Sequence, residues 1–247
     1  LMIKKLFILL LLKTLFFACV VMAQHGEDNP MLVVTEDWAP YNYVLDNGKI
    51  VGSSTVIVEK TLRNSNIPYT LNIYPWARAY GLALNHANVL IYSIIRTPER
   101  EKLFHWVCPL NTVEYFVFKI ATRKDIVVNS LTDLKKYSIG ITRETFLEHF
   151  LKKKGFIKGT HLQLTGERQA SFRKLLANRI DLIIDTKAFI GEQLKGQQLN
   201  PDKVRSIYKL HDDIDGKINI CMAISLKTPV ELVEKIRNEH RKLATKY

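Results

Sequence analysis

The stretch SIIRTPEREKLFHW, residues 93–106, follows an apolar run, NVLIY, that reads as a buried strand. It sets down Arg96, Glu99, Arg100, Glu101 and Lys102 around Pro98. A guanidinium presents a planar fork of donors that matches a carboxylate. The loop beyond a strand's carboxyl end is where open α/β sheets bind ligands. An arginine here suits a small anion; the plainer alternative is a solvated turn in which Arg100 pairs with Glu99 or Glu101. Other chemistry is not indicated. The seven histidines, at 25, 86, 105, 149, 161, 211 and 240, show no metal-ligand spacing. There is no GxGxxG after the first strand, and no GxxxxGK[ST], GxSxG or HExxH, so nothing nominates a nucleotide site, a serine nucleophile or a zinc protease.

The elements that must position this arginine follow from hydrophobic periodicity. MLVVTED is a β-type run, STVIVEKTLRNSN has helical spacing, YTLNIYPW alternates as a strand, ARAYGLALNH reads as a helix and NVLIYSI as a buried strand. This βαβαβ order is the unit of a parallel sheet. A second series follows: YFVFKIA, YSIGI, LQLTG, IDLII and VRSIYKL as strands, with SLTDLKK, TFLEHFLKKKG, RQASFRKLLANR and TKAFIGEQLKG as helices between them. KINICMAIS then returns as a strand, and PVELVEKIRNEHRKLA is a helix with Pro229 near its first turn. The fold class is therefore α/β with two lobes in tandem, each a mostly parallel sheet flanked by helices. The expected lobes are 24–112 plus 213–247, and 113–212. They are joined by LNTVEYFV going out and YKLHDDIDGKI coming back, with a cleft between them.

The 247 residues suit two lobes of about 100 residues each. A hydrophobic content of 47% and charged content of 24% are those of a globular chain, not a disordered one. Residues 1–23 carry two lysines, an apolar run and then Val-Met-Ala, the pattern of a signal peptide cleaved before Gln24. The expected localisation is therefore the periplasm, with a lipid anchor on Cys19 as the minor alternative. Formal net charge is +12; the signal region holds Lys4, Lys5 and Lys13 and no acids, which leaves +9 on the rest. The lysines are spread rather than blocked, so the charge reads as solvated surface and not as a nucleic-acid footprint. Cys108 and Cys221 sit among apolar neighbours, and either a disulfide or two buried thiols fits.

Five pieces come in one order: TEDWAPYNYVLDNGKIVG, YPWARAYGLAL, SIIRTPEREKLFHWVCPL, SLTDLKKYSIGITRET and LLANRIDLII. Together they resemble bacterial extracellular solute-binding proteins of family 3, the amino-acid-binding type of periplasmic binding protein, from about Met31 to about Ala244. The resemblance implies a monomeric, non-enzymatic two-lobed binder that closes on a small polar ligand, an amino acid or another small carboxylate. It needs no cofactor or metal and hands the ligand to the membrane subunits of an ABC transporter. It makes Arg100, after the TPE of TPER, the clamp for a ligand carboxylate, with Arg96 able to share the role. Trp38 and Trp76 become aromatic walls, in a region that also holds Tyr41, Tyr43, Tyr74 and Tyr80. Ser93 offers a hydroxyl. Thr142 and Thr145 lie at a helix start suited to anions, and Asp185 meets a ligand ammonium. Glu36 completes the candidate ligand-binding set.

Two departures, GSSTVIVE in place of the family's GFDVDL and TRET in place of a Gly/Ser-rich turn, point away from a standard α-amino acid. A different small anion or zwitterion remains open, as does an orphan or sensory binding protein. The rival from another class is a dehydratase-like cleft enzyme, in which Glu36, Glu144 or Asp185 would move a proton.

Overall fold

The computed structural model describes residues 30–210, 213, 214, 216 and 218–244. The expected signal peptide, its cleavage before Gln24 and the Cys19 alternative lie outside the described residues. Among the described residues no helix is long and apolar enough to cross a membrane.

Two five-stranded sheets carry the chain. The first contains β1 (Met31–Thr35), β4 (Tyr69–Ile73), β5 (Val89–Ile95), β6 (Phe104–Val113) and β12 (Ile218–Ser225), in the order β4-β1-β5-β12-β6. The second contains β7 (Phe116–Ile120), β8 (Ile139–Thr142), β9 (Leu162–Thr165), β10 (Leu182–Asp185) and β11 (Val204–Lys209), in the order β11-β7-β10-β8-β9. A hairpin of β2 (Tyr43–Val44) and β3 (Ile50–Val51) stands apart. In each sheet four strands point one way and one is reversed. β12 and β7 are the reversed strands, each antiparallel to both neighbours, while the remaining pairs are parallel. Both reversed strands come directly after the chain passes from one sheet to the other. All seven residues of β5 are buried, as a central strand covered on both faces requires.

Each helix packs by one buried face, which mixes apolar and small polar residues. In α1 (Ser53–Asn64) the buried positions are 54, 55, 58, 61 and 62, one helical face. Its first amides have no side-chain cap; Ser54 N–H donates to the Tyr41 carbonyl at 2.9 Å instead. Gly52 permits this approach: its φ is +127°, and a Cβ there would sit 2.3 Å from the Tyr41 oxygen. The others are α2 (Trp76–Asn85), α3 (Phe146–Lys153), α4 (Arg168–Leu176), α5 (Lys187–Gly196) and α6 (Val230–Ala244). In α6 the buried stripe is Val233, Ile236, His240 and Leu243.

The structure differs from the sequence expectation at two places. β6 is a ten-residue strand that periodicity does not reveal, because Pro109 interrupts it and its burial does not alternate. Trp76 belongs to α2, not to the preceding strand, since Pro75 ends the extended run and stands at the helix N-cap. Cys108 and Cys221 form a disulfide between the neighbouring strands β6 and β12.

Candidate ligand-binding cleft

The carboxyl ends of β1, β4, β5, β8, β9 and β10 converge where the two lobes meet. At the first-lobe side a buried asparagine fixes the strand ends. Asn42 donates to the Thr35 hydroxyl at 3.0 Å and to the Glu36 carbonyl at 2.6 Å, and its amide oxygen accepts from Ser93 Oγ. Ser93 is thus engaged within the first lobe, at a left-handed φ of 58°. Glu36 and Trp38 follow β1 directly and are both buried.

Arg100 is 5% exposed. Its Nη1 donates to the Ile95 carbonyl at 3.2 Å and its Nη2 to the Glu144 carbonyl of the other lobe at 3.1 Å. The guanidinium lies 5.4 Å from the Trp76 ring centroid and 4.9 Å from that of Tyr80, which favours a cation. Among the described residues no carboxylate stands within ion-pair distance of it. Burial accordingly lowers its pKa. Arg96 sits differently: about half exposed, it forks onto Glu101, with Nε to Oε2 at 2.6 Å. The two arginines four residues apart therefore divide, one into the cleft and one into the solvated pair.

The second lobe meets this surface with two features. Glu144, at a left-handed φ of 61°, turns its carbonyl toward the first lobe, where it accepts from Trp76 Nε1 at 2.7 Å as well as from Arg100. Thr145 caps α3, accepting from Glu148 N–H and donating to the Thr142 carbonyl at 2.7 Å. The buried Glu148 carboxylate takes the Glu144 N–H. The anion expected at this helix start is thus supplied by the chain itself. The second feature is Arg168, 7% exposed, at the start of α4. Its Nε and Nη2 reach Glu36 at 3.1 and 3.0 Å, and its Nη1 reaches Asp185 at 3.0 Å. Trp38 lies flat beneath it, 4.0 Å from guanidinium carbon to ring centroid, and donates Nε1–H to Asp185 at 3.2 Å. Tyr115 stacks on Trp38 with an interplanar angle of 11°.

Burial raises the pKa of Glu36 and Asp185, with Arg168 working against it. For Arg168 burial opposes the charge, but the two carboxylates outweigh it and its pKa is raised. The structure thus brings Glu36, Trp38, Trp76, Arg100 and Asp185 together across the lobes. Ser93, Thr142 and Thr145 stand behind them as supports, and Arg96 stands at the edge. Sequence reasoning missed Arg168, Tyr115, Asn42 and the Glu144 carbonyl. The sequence reading names Glu144 only for its side chain, as a carboxylate that could move a proton and as part of the unusual TRET turn.

Two cavities open on this contact, each lined from both lobes. One, of about 710 Å³, has Tyr80, Arg100, Phe146, His149 and Phe150 among its walls. The other, of about 350 Å³, has Glu36, Asp37, Trp76, Arg168 and Gln169. Burial pushes the Asp37 carboxyl up from 3.8 to about 6, opposed by a hydrogen bond from Gln169 and assisted by the charges of Glu36 and Glu167. The folded chain therefore holds this proton where the unfolded chain has released it. Stability from this group is complete below pH 3.8 and is lost as pH rises through about 6. Asp37→Asn should remove that loss. Denaturation midpoints measured across this pH range should fall less steeply in the variant; parallel curves would contradict the assignment.

Two α/β lobes, two strand-like crossings and a cleft at the strands' carboxyl ends define the periplasmic-binding-protein fold. No family model matches the chain. Among solved structures, a histidine kinase sensor domain with similarity to periplasmic binding proteins superposes with a TM-score of 0.76 at 16% identity, covering 88% of this chain and 91% of that one. The arginine-, lysine-, histidine-binding protein ArtJ from Geobacillus stearothermophilus gives 0.74 at 20% identity, covering 88% and 90%. An ancestral arginine-binding protein bound to glutamine gives 0.73 at 18% identity, covering 87% and 92%.

Proposed function

We propose that the chain is a solute-binding protein that captures a small, carboxylate-bearing polar ligand between its lobes, with Arg100 as the anion clamp. The observation that carries this is the buried Arg100 guanidinium, held by carbonyls and aromatic faces but matched by no ion pair. A cation taken out of water without a counter-charge is costly, and an anionic ligand would remove that cost. The named ligands of neighbouring structures, arginine, lysine, histidine and glutamine, all carry a carboxylate. We assign the lobes as 24–112 plus 213–247 and 113–212, a division supported by the membership of the two sheets. Export to the periplasm and delivery to ABC-type membrane subunits complete the reading.

Binding is favoured over catalysis because two of the carboxylates placed to move a proton, Glu36 and Asp185, are both engaged by Arg168. A sensory role for the same binding step is a second reading, favoured by the sensor-domain likeness. A thermal-shift panel of amino acids, small peptides and organic acids tests capture. A bound solute at 100 times its Kd should add about 2.7 kcal/mol of stability, and its decarboxylated analogue should add little. A panel in which no carboxylate binds, or in which the analogue binds equally, would overturn the reading.

A further inference from the structure

We propose that Glu36, Asp185, Trp38 and Tyr115 form a guanidinium seat and that the chain's own Arg168 fills it, so that the lobes shut on an internal ligand. Three observations converge. The first is completeness. Arg168 meets carboxylate oxygens at Nε, Nη1 and Nη2, each at 3.0 or 3.1 Å, and an aromatic face at 4.0 Å. This is the full recognition set for a planar, forked cation, assembled with Tyr115 from three chain segments, 36–38, 115 and 185.

The second is position. Arg168 is the first residue of α4, whose N-cap Glu167 makes no side-chain cap bond. A cation at a helix N-terminus opposes the helix dipole, so local helix formation gives no reason for an arginine there. The seat does, and the two carboxylates keep Arg168 charged despite its burial. The third is reach. Arg168 and Asp185 lie in the second lobe and Glu36 and Trp38 in the first, so the contact exists only when the lobes are together. Trp38 Nε1–H to Asp185 spans the same gap. A solute bearing a guanidinium or ammonium can therefore enter the seat only by displacing Arg168, whereas a carboxylate presented to Arg100 need not.

The proposal concerns the same cleft as the capture reading but does not depend on its solute. The test uses the full chain and guanidinium chloride as the probe, with sodium chloride at equal ionic strength as the control. Arg168→Ala should melt roughly 6 °C or more below wild type and should show a larger radius of gyration in solution scattering. Low-millimolar guanidinium should restore most of both in the variant, saturably, and should leave wild type unchanged. If guanidinium does no more than sodium, the seat is refuted. Should Arg168→Ala fail to fold, Arg168→Lys, which keeps the charge but not the fork, should stay folded yet lose compaction. Wild type without solute must itself scatter as the closed form; an expanded wild type refutes the proposal independently. Guanidinium rescue without any carboxylate binding to wild type would leave the seat standing and fail the capture reading. Solute binding with no rescue would do the reverse.

Discussion

In Arg100→Ala, affinity for the captured carboxylate should fall by roughly 30- to several-thousand-fold. Removing one partner of a buried charge pair costs about 2 to 5 kcal/mol, and each 1.4 kcal/mol is tenfold. The loss should be large because Arg100 is buried against Trp76 and Tyr80 and, among the described residues, no carboxylate pairs with it directly. Arg100→Lys should recover only part, since an ammonium cannot make the fork. Arg96→Ala is the internal control. Its guanidinium is already paired with Glu101 at the surface, and such pairs contribute about 0 to 1 kcal/mol. Calorimetry on the three variants decides the matter: near-equal affinity in Arg100→Ala and wild type would remove Arg100 from the site.

Glu36→Ala is expected to weaken the closed form by about 3 to 5 kcal/mol, the cost of leaving a buried ion without its partner. Arg168 would keep Asp185 alone, and the empty carboxylate position is buried. The triple variant Glu36→Leu, Arg168→Met, Asp185→Leu should be closer to wild type in stability than the single variant, because no member of the triad is left as an unpaired buried charge. The single variant escapes part of its cost by parting the lobes, which wets Arg168. Denaturation midpoints should therefore fall less than interlobe compaction does. If Glu36→Ala matches wild type in both midpoint and scattering radius, the ion triad contributes nothing to closure.

The parts of this molecule legible in sequence are those whose information is local. NVLIYSI announces a covered central strand, and the charges that follow it place Arg100 at the strand's end. IDLII does the same for Asp185. Arg168 has no such signature. GERQASFRK reads as the wet beginning of a helix, and only contact with Glu36, 132 residues away, gives the guanidinium its place. Asn42 is equally silent, since a turn asparagine and a buried strand-end organiser have the same letters around them. The Glu144 carbonyl is a backbone feature carried by a residue that rarely adopts a left-handed φ, so side-chain type points away from it. β6 escapes a sequence reading because Pro109 interrupts its apolar pattern and its burial does not alternate.

The disulfide between β6 and β12 has a mechanical consequence. The two chain passages between lobes leave the first sheet as adjacent antiparallel strands, paired as far as Val113 and Ile218 and cross-linked at Cys108 and Cys221. Their other ends enter the second sheet at Phe116, in β7, and Lys209, in β11, which also pair with one another. The passages stay paired beyond the strands: Leu210 N–H donates to the Tyr115 carbonyl at 3.0 Å and Lys209 meets Glu114 at 2.7 Å. Side-by-side pairing at both ends resists sliding of one passage along the other. Rotation of one lobe about the paired passages is the motion this pairing opposes least, so losing the charges at Arg168 is expected to swing the lobes apart as bodies rather than loosen them diffusely.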